Sequence, residues 1–558
     1  MRSYETLLIL MACAFIGRCS APSVQEKAPL EHVRKQLAKF EPVVLTHDLS
    51  HLPAQEMQVV KLLVKASREI DEIYLDQVFS LNGRLRDELM RSKDPEDRTY
   101  LDYFNIMFGP WDRLDSNKPF INSLPKPPGA NYFPPDLTRG EFESWLASHP
   151  EDKEAFESNF SVIRRKGKSL AAIPYSDHYT DALIRIADDL RQAAVLTSDP
   201  SLEKYLSSRA DALLANNYYQ SDMDWMDMSG DLEVVIGPYE VYEDNLLGYK
   251  AAFESFICVV DHESSLQLKA IADRTKEMEA ALPLSDRYRY GGRGDDSPIK
   301  VVNLLYSAGD TKAGVQTAAF NLPNDERVRE AKGSKKVLLK NVMKAKFENC
   351  WIPIVRQALS EKDLARVTFD AYFTHVLLHE ISHGLGPGTI RKDSGETTVN
   401  RELKDLYSTI EECKADVLGI TLCEYLIGKG VLPEELASTL HASNLGGMFR
   451  SIRFGIDEAH GGGVAIQLNF LLEKDAFRID ENGRFSVNDR KISGAMKDLA
   501  AELLRIEAEG DYGRASAFIG KYRFLSPAVA AVLDRLSDVP VDIRPVYPIE
   551  KELETEAE

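Results

Sequence analysis

The sequence predicts an α+β fold that is predominantly helical. Apolar residues recur at spacings of three and four through most of the chain, as amphipathic helices require. Alternating, β-rich runs are confined to the middle, chiefly DLEVVIGPYEVYE (231–243) and KVVNLLYSA (300–308). The chain has 558 residues, 44% hydrophobic and 28% charged, with no internal repeat. At about 100–200 residues per domain, that is enough for two or more core units.

Taken in order, the chain opens with MRSYETLLILMACAFIGRCSAPS. Arg2 gives a charged start, and Leu7 to Ile16 form an apolar run. The run is shorter than the ~20 residues a membrane span needs, and it suits a secretory signal. Cys19 follows it as in a bacterial lipoprotein signal, although Arg18 stands where a small residue is usual. We therefore expect residues 1–20 to be a signal peptide and the protein to be exported. Its destination is the bacterial periplasm, or a membrane anchored at Cys19 and facing the periplasm.

Residues 54–93 and 177–216 are periodic helical stretches, the first interrupted by a glycine. NKPFINSLPKPPGANYFPPD (117–136) is Pro-rich and reads as loop. LARVTFDAYFTHVLLHEISHGLG (364–386) is a helix stopped by glycines. TIRKDSGETTVN (389–400) is polar and reads as loop, and the segment 401–430 is a second helix that ends in glycines.

The formal net charge of −20 makes nucleic acid and anionic lipid poor partners. Two of the six cysteines lie in the signal. The others (Cys258, Cys350, Cys413, Cys423) lack CxxC spacing, so we expect free buried thiols and no cysteine metal site.

His379 and His383 sit four apart in HEISH, on one face of a helix, where both imidazoles can reach one ion. Glu380 is rotated about 100° away, placed to reach a water rather than to ligate. His375 extends the row, but eight residues of helix rise about 12 Å, so all three histidines cannot share an ion. A metzincin would carry a histidine at position 389, where this chain has Thr. The next helix offers STIEECKAD, with Glu411, Glu412 and Asp416. Glu412 and Asp416 share a face; one can bind a metal while the other takes the outer N–H of a ligating histidine.

HEISH followed by EECKAD resembles the dipeptidyl peptidase III family of zinc peptidases, in its shorter bacterial form. The blocks 236–260, 321–342 and 457–473 are similar to family segments in the same order. The resemblance implies one Zn²⁺ per chain, held by His379, His383 and Glu412. It implies Glu380 as general base toward a zinc-activated water, with Glu411 and Asp416 supporting the ligands. His460 would stabilise the oxyanion, Asn321 and Asn324 would hold the peptide backbone, and Glu233 would bind the free ammonium. Two departures stand out: Val235 occupies the place of an expected tyrosine, and Asn469 lies near the place of an expected arginine.

The fold so implied has two lobes around a wide cleft. Residues 21–255, 300–345 and 540–558 would form a lobe with a small β-core. Residues 256–299 and 346–539 would form the helical zinc lobe. The implied activity is release of dipeptides from short peptides with a free N-terminus. Two alternatives are a thermolysin-like or broad-specificity zinc endopeptidase, and a catalytically weak, zinc-containing peptide-binding lipoprotein. The sequence does not choose between monomer and homodimer.

Overall fold

The computed structural model describes residues 26–47, 49–288, 299–393 and 395–557. The expected signal peptide and Cys19 lie outside them. The chain forms two lobes, each with a large apolar core, and the periodic stretches are helical as expected. In the first lobe, helices α1 (Ala54–Val78), α2 (Thr180–Leu196) and α3 (Pro200–Ala215) pack beside a five-stranded sheet. The strands are β1 (Leu232–Glu240), β2 (Ala252–Val260), β3 (Ile299–Gly309), β4 (Ala319–Leu322) and β5 (Lys335–Leu339). Their spatial order is β1-β2-β3-β5-β4. β3 and β5 run parallel; the other neighbours are antiparallel.

Every residue of β2 is buried, because helices and loops cover both faces of the sheet there. β4 pairs only with β5, so it is an open edge. The sheet curls enough for Phe256 of β2 to stack on Phe320 of β4, with ring centroids 4.3 Å apart.

The second lobe is built from α4 (Phe369–Ser382), α5 (Tyr407–Gly428), α6 (Leu436–Ile452), α7 (Ala459–Glu473) and α8 (Ile492–Glu509). The chain then returns to the first lobe, where Asp542–Val546 pairs in parallel with Phe40–Val44.

Two expectations need correction. A lobe break at 255 would cut β2, which is hydrogen-bonded along its length on both sides, so the chain leaves the sheet only after Val260. The polar segment 389–400 contains a two-stranded hairpin, Thr389–Lys392 with Gly395–Thr398. Cys258, Cys350, Cys413 and Cys423 are free and buried. Among the described residues no helix is long and apolar enough to cross a membrane.

Candidate active site

The site begins with close helix packing. Thr368 caps α4 by accepting from the Ala371 N–H, and Gly386, at φ +78°, turns the chain away beyond its end. α5 lies against α4 through Gly419. A Cβ there would stand 3.0 Å from His375 Cδ2 and 3.1 Å from the His379 nitrogen. α7 meets α5 through Gly463, where a Cβ would come within 3.0 Å of the Cys413 nitrogen. These two glycines let three helices approach closely enough to bring His379, His383, Glu412 and His460 together.

His379, His383 and Glu412 offer ligand atoms that all lie within 4.8 Å of one another. The two Nε2 atoms are 3.1 Å apart, and Glu412 Oε2 stands 3.4 Å from His379 Nε2 and 3.8 Å from His383 Nε2. Ligands about 2.0–2.1 Å from a tetrahedral ion would stand roughly 3.3 Å apart, so the set fits a metal of zinc size. Glu412 Oε2 is buried and receives no hydrogen bond, although His460 Nε2 stands 3.1 Å away. A buried carboxylate oxygen left in that state calls for a cation.

The outer nitrogens are fixed. His379 Nδ1 donates to Asp416 Oδ1 at 2.8 Å, and His383 Nδ1 donates to Glu411 Oε1 at 2.9 Å. Both Nε2 atoms are thereby turned toward Glu412. The carboxylates are held in turn. Lys414 Nζ donates to Glu411 Oε1 at 2.8 Å, and Gln467 Nε2 donates to Asp416 Oδ2 at 3.0 Å. Sequence reading did not single out Lys414 or Gln467. The signal was the spacing: Lys414 follows Glu411 by three on the same helix, and Gln467 lies two turns past His460. His375 is half-buried, and its Nε2 donates to the Asp416 carbonyl at 3.0 Å, so it joins the two helices and does not ligate.

The electrostatics agree. Burial disfavours a charged His379, yet its hydrogen bond to Asp416 and the nearby Glu412 carboxylate outweigh that and push its pKa up to about 10. Burial likewise opposes a charged Asp416, but the His379 bond and charge hold its carboxyl well below the usual range. Glu412 is also lowered, against burial, by His379 and His460. The pocket stabilises one positive charge among carboxylates, which a divalent ion would supply more strongly.

A cavity of about 280 Å³ adjoins this cluster. His379, Glu380, Asp416 and His460 line it from the helical lobe, and Ala318 and Ala319 line it from the start of β4. The Glu380 side chain is 30% exposed. His460, on the first turn of α7, donates from Nδ1 to Glu458 Oε1 at 2.9 Å, and the same carboxylate caps the helix at Gly461. Asn321 and Asn324 are exposed on β4 and just after it.

Glu233 is not among these groups. It is fully buried in β1, with Lys300 Nζ 2.7 Å and Lys335 Nζ 3.1 Å from its oxygens. Two internal lysines already satisfy it, so the expected ammonium-binding role fails. The carboxylate that the sheet does bring beside Asn324 is Glu240, at the far end of β1. Asn324 hydrogen-bonds its side chain and donates from Nδ2 to the Tyr239 carbonyl at 3.1 Å. Burial raises the Glu240 pKa, and Asn324 offsets this in part. Val235 packs in the core, while Tyr242, just beyond Glu240, is 77% exposed. Asn469 donates to the Tyr522 and Phe524 carbonyls, so it ties α7 to the C-terminal end of the helix Tyr512–Tyr522.

The two-lobed fold and the His-His-Glu cluster define a metallopeptidase. Residues 135–399 match the model of peptidase family M49. The solved structure of dipeptidyl peptidase III from Caldithrix abyssi is 52% identical, with a TM-score of 0.90, covering 93% of this chain and 100% of that one. That of dipeptidyl-peptidase III from Corallococcus sp. strain EGB is 40% identical, with a TM-score of 0.77, covering 95% and 99%. A relative in Arabidopsis thaliana, named Nudix hydrolase 3, is 39% identical over 93% of this chain and 74% of its own length. That name is the relative's, and about a quarter of that protein lies outside the match. The chain belongs to peptidase family M49, the dipeptidyl peptidase III family, and is a metallopeptidase of the dipeptidyl peptidase kind.

Proposed function

We propose that this chain is a zinc-dependent exopeptidase that releases dipeptides from the free N-terminus of short peptides, with one Zn²⁺ held by His379, His383 and Glu412. The observation that carries the reading is the buried Glu412 Oε2. It has no hydrogen bond and faces two histidine Nε2 atoms beside a cavity that also touches the open edge strand. When bound, the ion would supply Lewis-acid polarisation of a scissile carbonyl and a lowered pKa for water.

The chain's own residues do the rest. An open edge such as β4 can accept an extended peptide as an added strand. Asn321 and Asn324 offer amides to its backbone, and the partly buried Glu240 receives its terminal ammonium. Capture of that charge at a fixed distance from His379 and His383 selects one peptide bond, the second. Glu380 takes a proton from water and returns it to the leaving amine. His460, held by Glu458, donates from Nε2 to the developing oxyanion.

Support for export is the apolar run ahead of Cys19 alone, and we propose it together with a lipid anchor at that residue. The test uses peptides with free and acetylated N-termini, incubated with zinc-loaded protein lacking residues 1–20 and read by mass spectrometry. Stepwise loss of dipeptides from free peptides only, abolished by a chelator, is the expected result. Internal cleavage of acetylated peptides would refute the exopeptidase reading.

A further inference from the structure

We propose that Lys336 is a positioning residue that reaches across the cleft and holds Glu380 in its working orientation when the lobes close. This rests on the assignment of Glu380 as general base.

Lys336 sits in β5, directly opposite Asn321 of the edge strand β4. Opposed residues in a sheet point to the same face, so the lysine shares the face that presents Asn321. Its neighbour Lys335 points the other way, into the lobe, where it meets Glu233. Glu380 belongs to α4, in the other lobe. Lys336 Nζ donates to the Glu380 main-chain oxygen at 3.2 Å and stands 3.5 Å from Glu380 Oε2. Both partners of this ammonium among the described residues therefore belong to one glutamate across the cleft.

The main-chain contact has a local cause. In a continuing helix the Gly384 N–H would bond to the Glu380 carbonyl. Here it turns to the Ile381 carbonyl at 2.9 Å, because the helix ends. The Glu380 carbonyl is thus one of the acceptors left over at a helix C-terminus, where the helix dipole also favours a cation. Lys336 satisfies it and brings the same charge beside the carboxylate. A glutamate gripped at backbone and side chain has fewer accessible rotamers than one held at neither. The grip comes from the sheet lobe, so it exists only when that lobe lies against α4. A peptide added to β4 would lie one strand away from Lys336. Lys336 therefore links substrate-side closure to the geometry of the base.

The test compares zinc-loaded wild type with Lys336→Met and Lys336→Arg. Removing the charge should lower kcat roughly tenfold, because a misplaced catalytic group is slow even when substrate still binds. KM should stay within about twofold, since the lysine is not assigned to the peptide. Zinc content and melting temperature should match wild type, and Lys336→Arg should recover most of kcat. Wild-type kcat in Lys336→Met would overturn the proposal, and so would equal losses in both variants with reduced zinc content. A wild-type protein that releases no dipeptides would sink the proposed function instead. In that event amide exchange across residues 380–386 decides the Lys336 contact. Faster exchange in Lys336→Met upholds it, and unchanged exchange overturns it.

Discussion

The carboxylate behind His379 offers a quantitative test of how the cluster is built. Asp416 Oδ1 accepts from His379 Nδ1 at 2.8 Å, fixing the tautomer that leaves Nε2 free. Asp416→Asn can keep an oxygen in that position but removes the charge. Asp416→Ala removes both and leaves Gln467 Nε2, now 3.0 Å from Asp416 Oδ2, without its acceptor. Losing such a partner weakens metal binding by about 10–100-fold. At 1.4 kcal/mol per tenfold, that is roughly 1.4–2.8 kcal/mol. We expect Asn near the lower bound and Ala near the upper. Competition against a fluorescent zinc chelator reads both. Zinc affinity of Asp416→Ala within twofold of wild type would refute the claim that this bond orients the ligand. Identical losses for Asn and Ala would show that charge matters and the tautomer lock does not.

Other consequences follow from the same geometry. Glu380→Gln should keep its zinc and lose about 10²–10⁴-fold in kcat, because proton transfer is removed and the ligands remain. His460→Ala should lose about 10²–10³-fold in kcat, as removal of an oxyanion donor does, again at full zinc occupancy. Glu240→Gln should raise KM for free peptides and narrow the gap between free and acetylated substrates. Glu233→Gln should instead lower the unfolding midpoint, since breaking a buried ion pair costs about 3–5 kcal/mol. A Glu233 variant that folds normally but loses free-N-terminus preference would reverse that assignment. In metal-free protein the raised His379 pKa stabilises the fold fully below its ordinary 6.5, and this is lost as pH climbs through about 10. The lowered Asp416 contributes above its ordinary 3.8 and is lost as pH falls through its depressed value. Zinc binding near neutral pH should therefore release a proton from His379, measurable by calorimetry in two buffers of different ionisation enthalpy. Zero release would contradict the raised pKa.

What the sequence could reveal depended on whether a role is set locally. His379, His383 and Glu380 are placed by one helix, so a spacing of four identifies them. Glu412 needed only that a second helix return alongside the first. The residues that make the return possible are two glycines, Gly419 and Gly463. Their meaning appears only when the neighbouring backbone is in place. The hairpin at 389–400 is not legible because its strands are short and mostly polar: two four-residue strands with one buried residue, Ile390, carry no alternation to read.

Glu233 and Glu240 show the limit most clearly. They are the first and second acidic residues along one strand, seven apart, and both lie next to apolar residues. Pattern alone makes Glu233 as good a candidate as Glu240. Glu233 is excluded by Lys300 and Lys335, which arrive from β3 and β5, 67 and 102 residues away in sequence. Glu240 is favoured by Asn324, 85 residues beyond Tyr239, which reaches it because the sheet curls its two edges toward each other. A carboxylate's task here is decided by which cations the fold has already spent on it. Glu233 is fully neutralised within the lobe and so is structural. Burial raises the Glu240 pKa and, among the described residues, the Asn324 amide meets its side chain, which is why Glu240 is the carboxylate proposed for the peptide's ammonium.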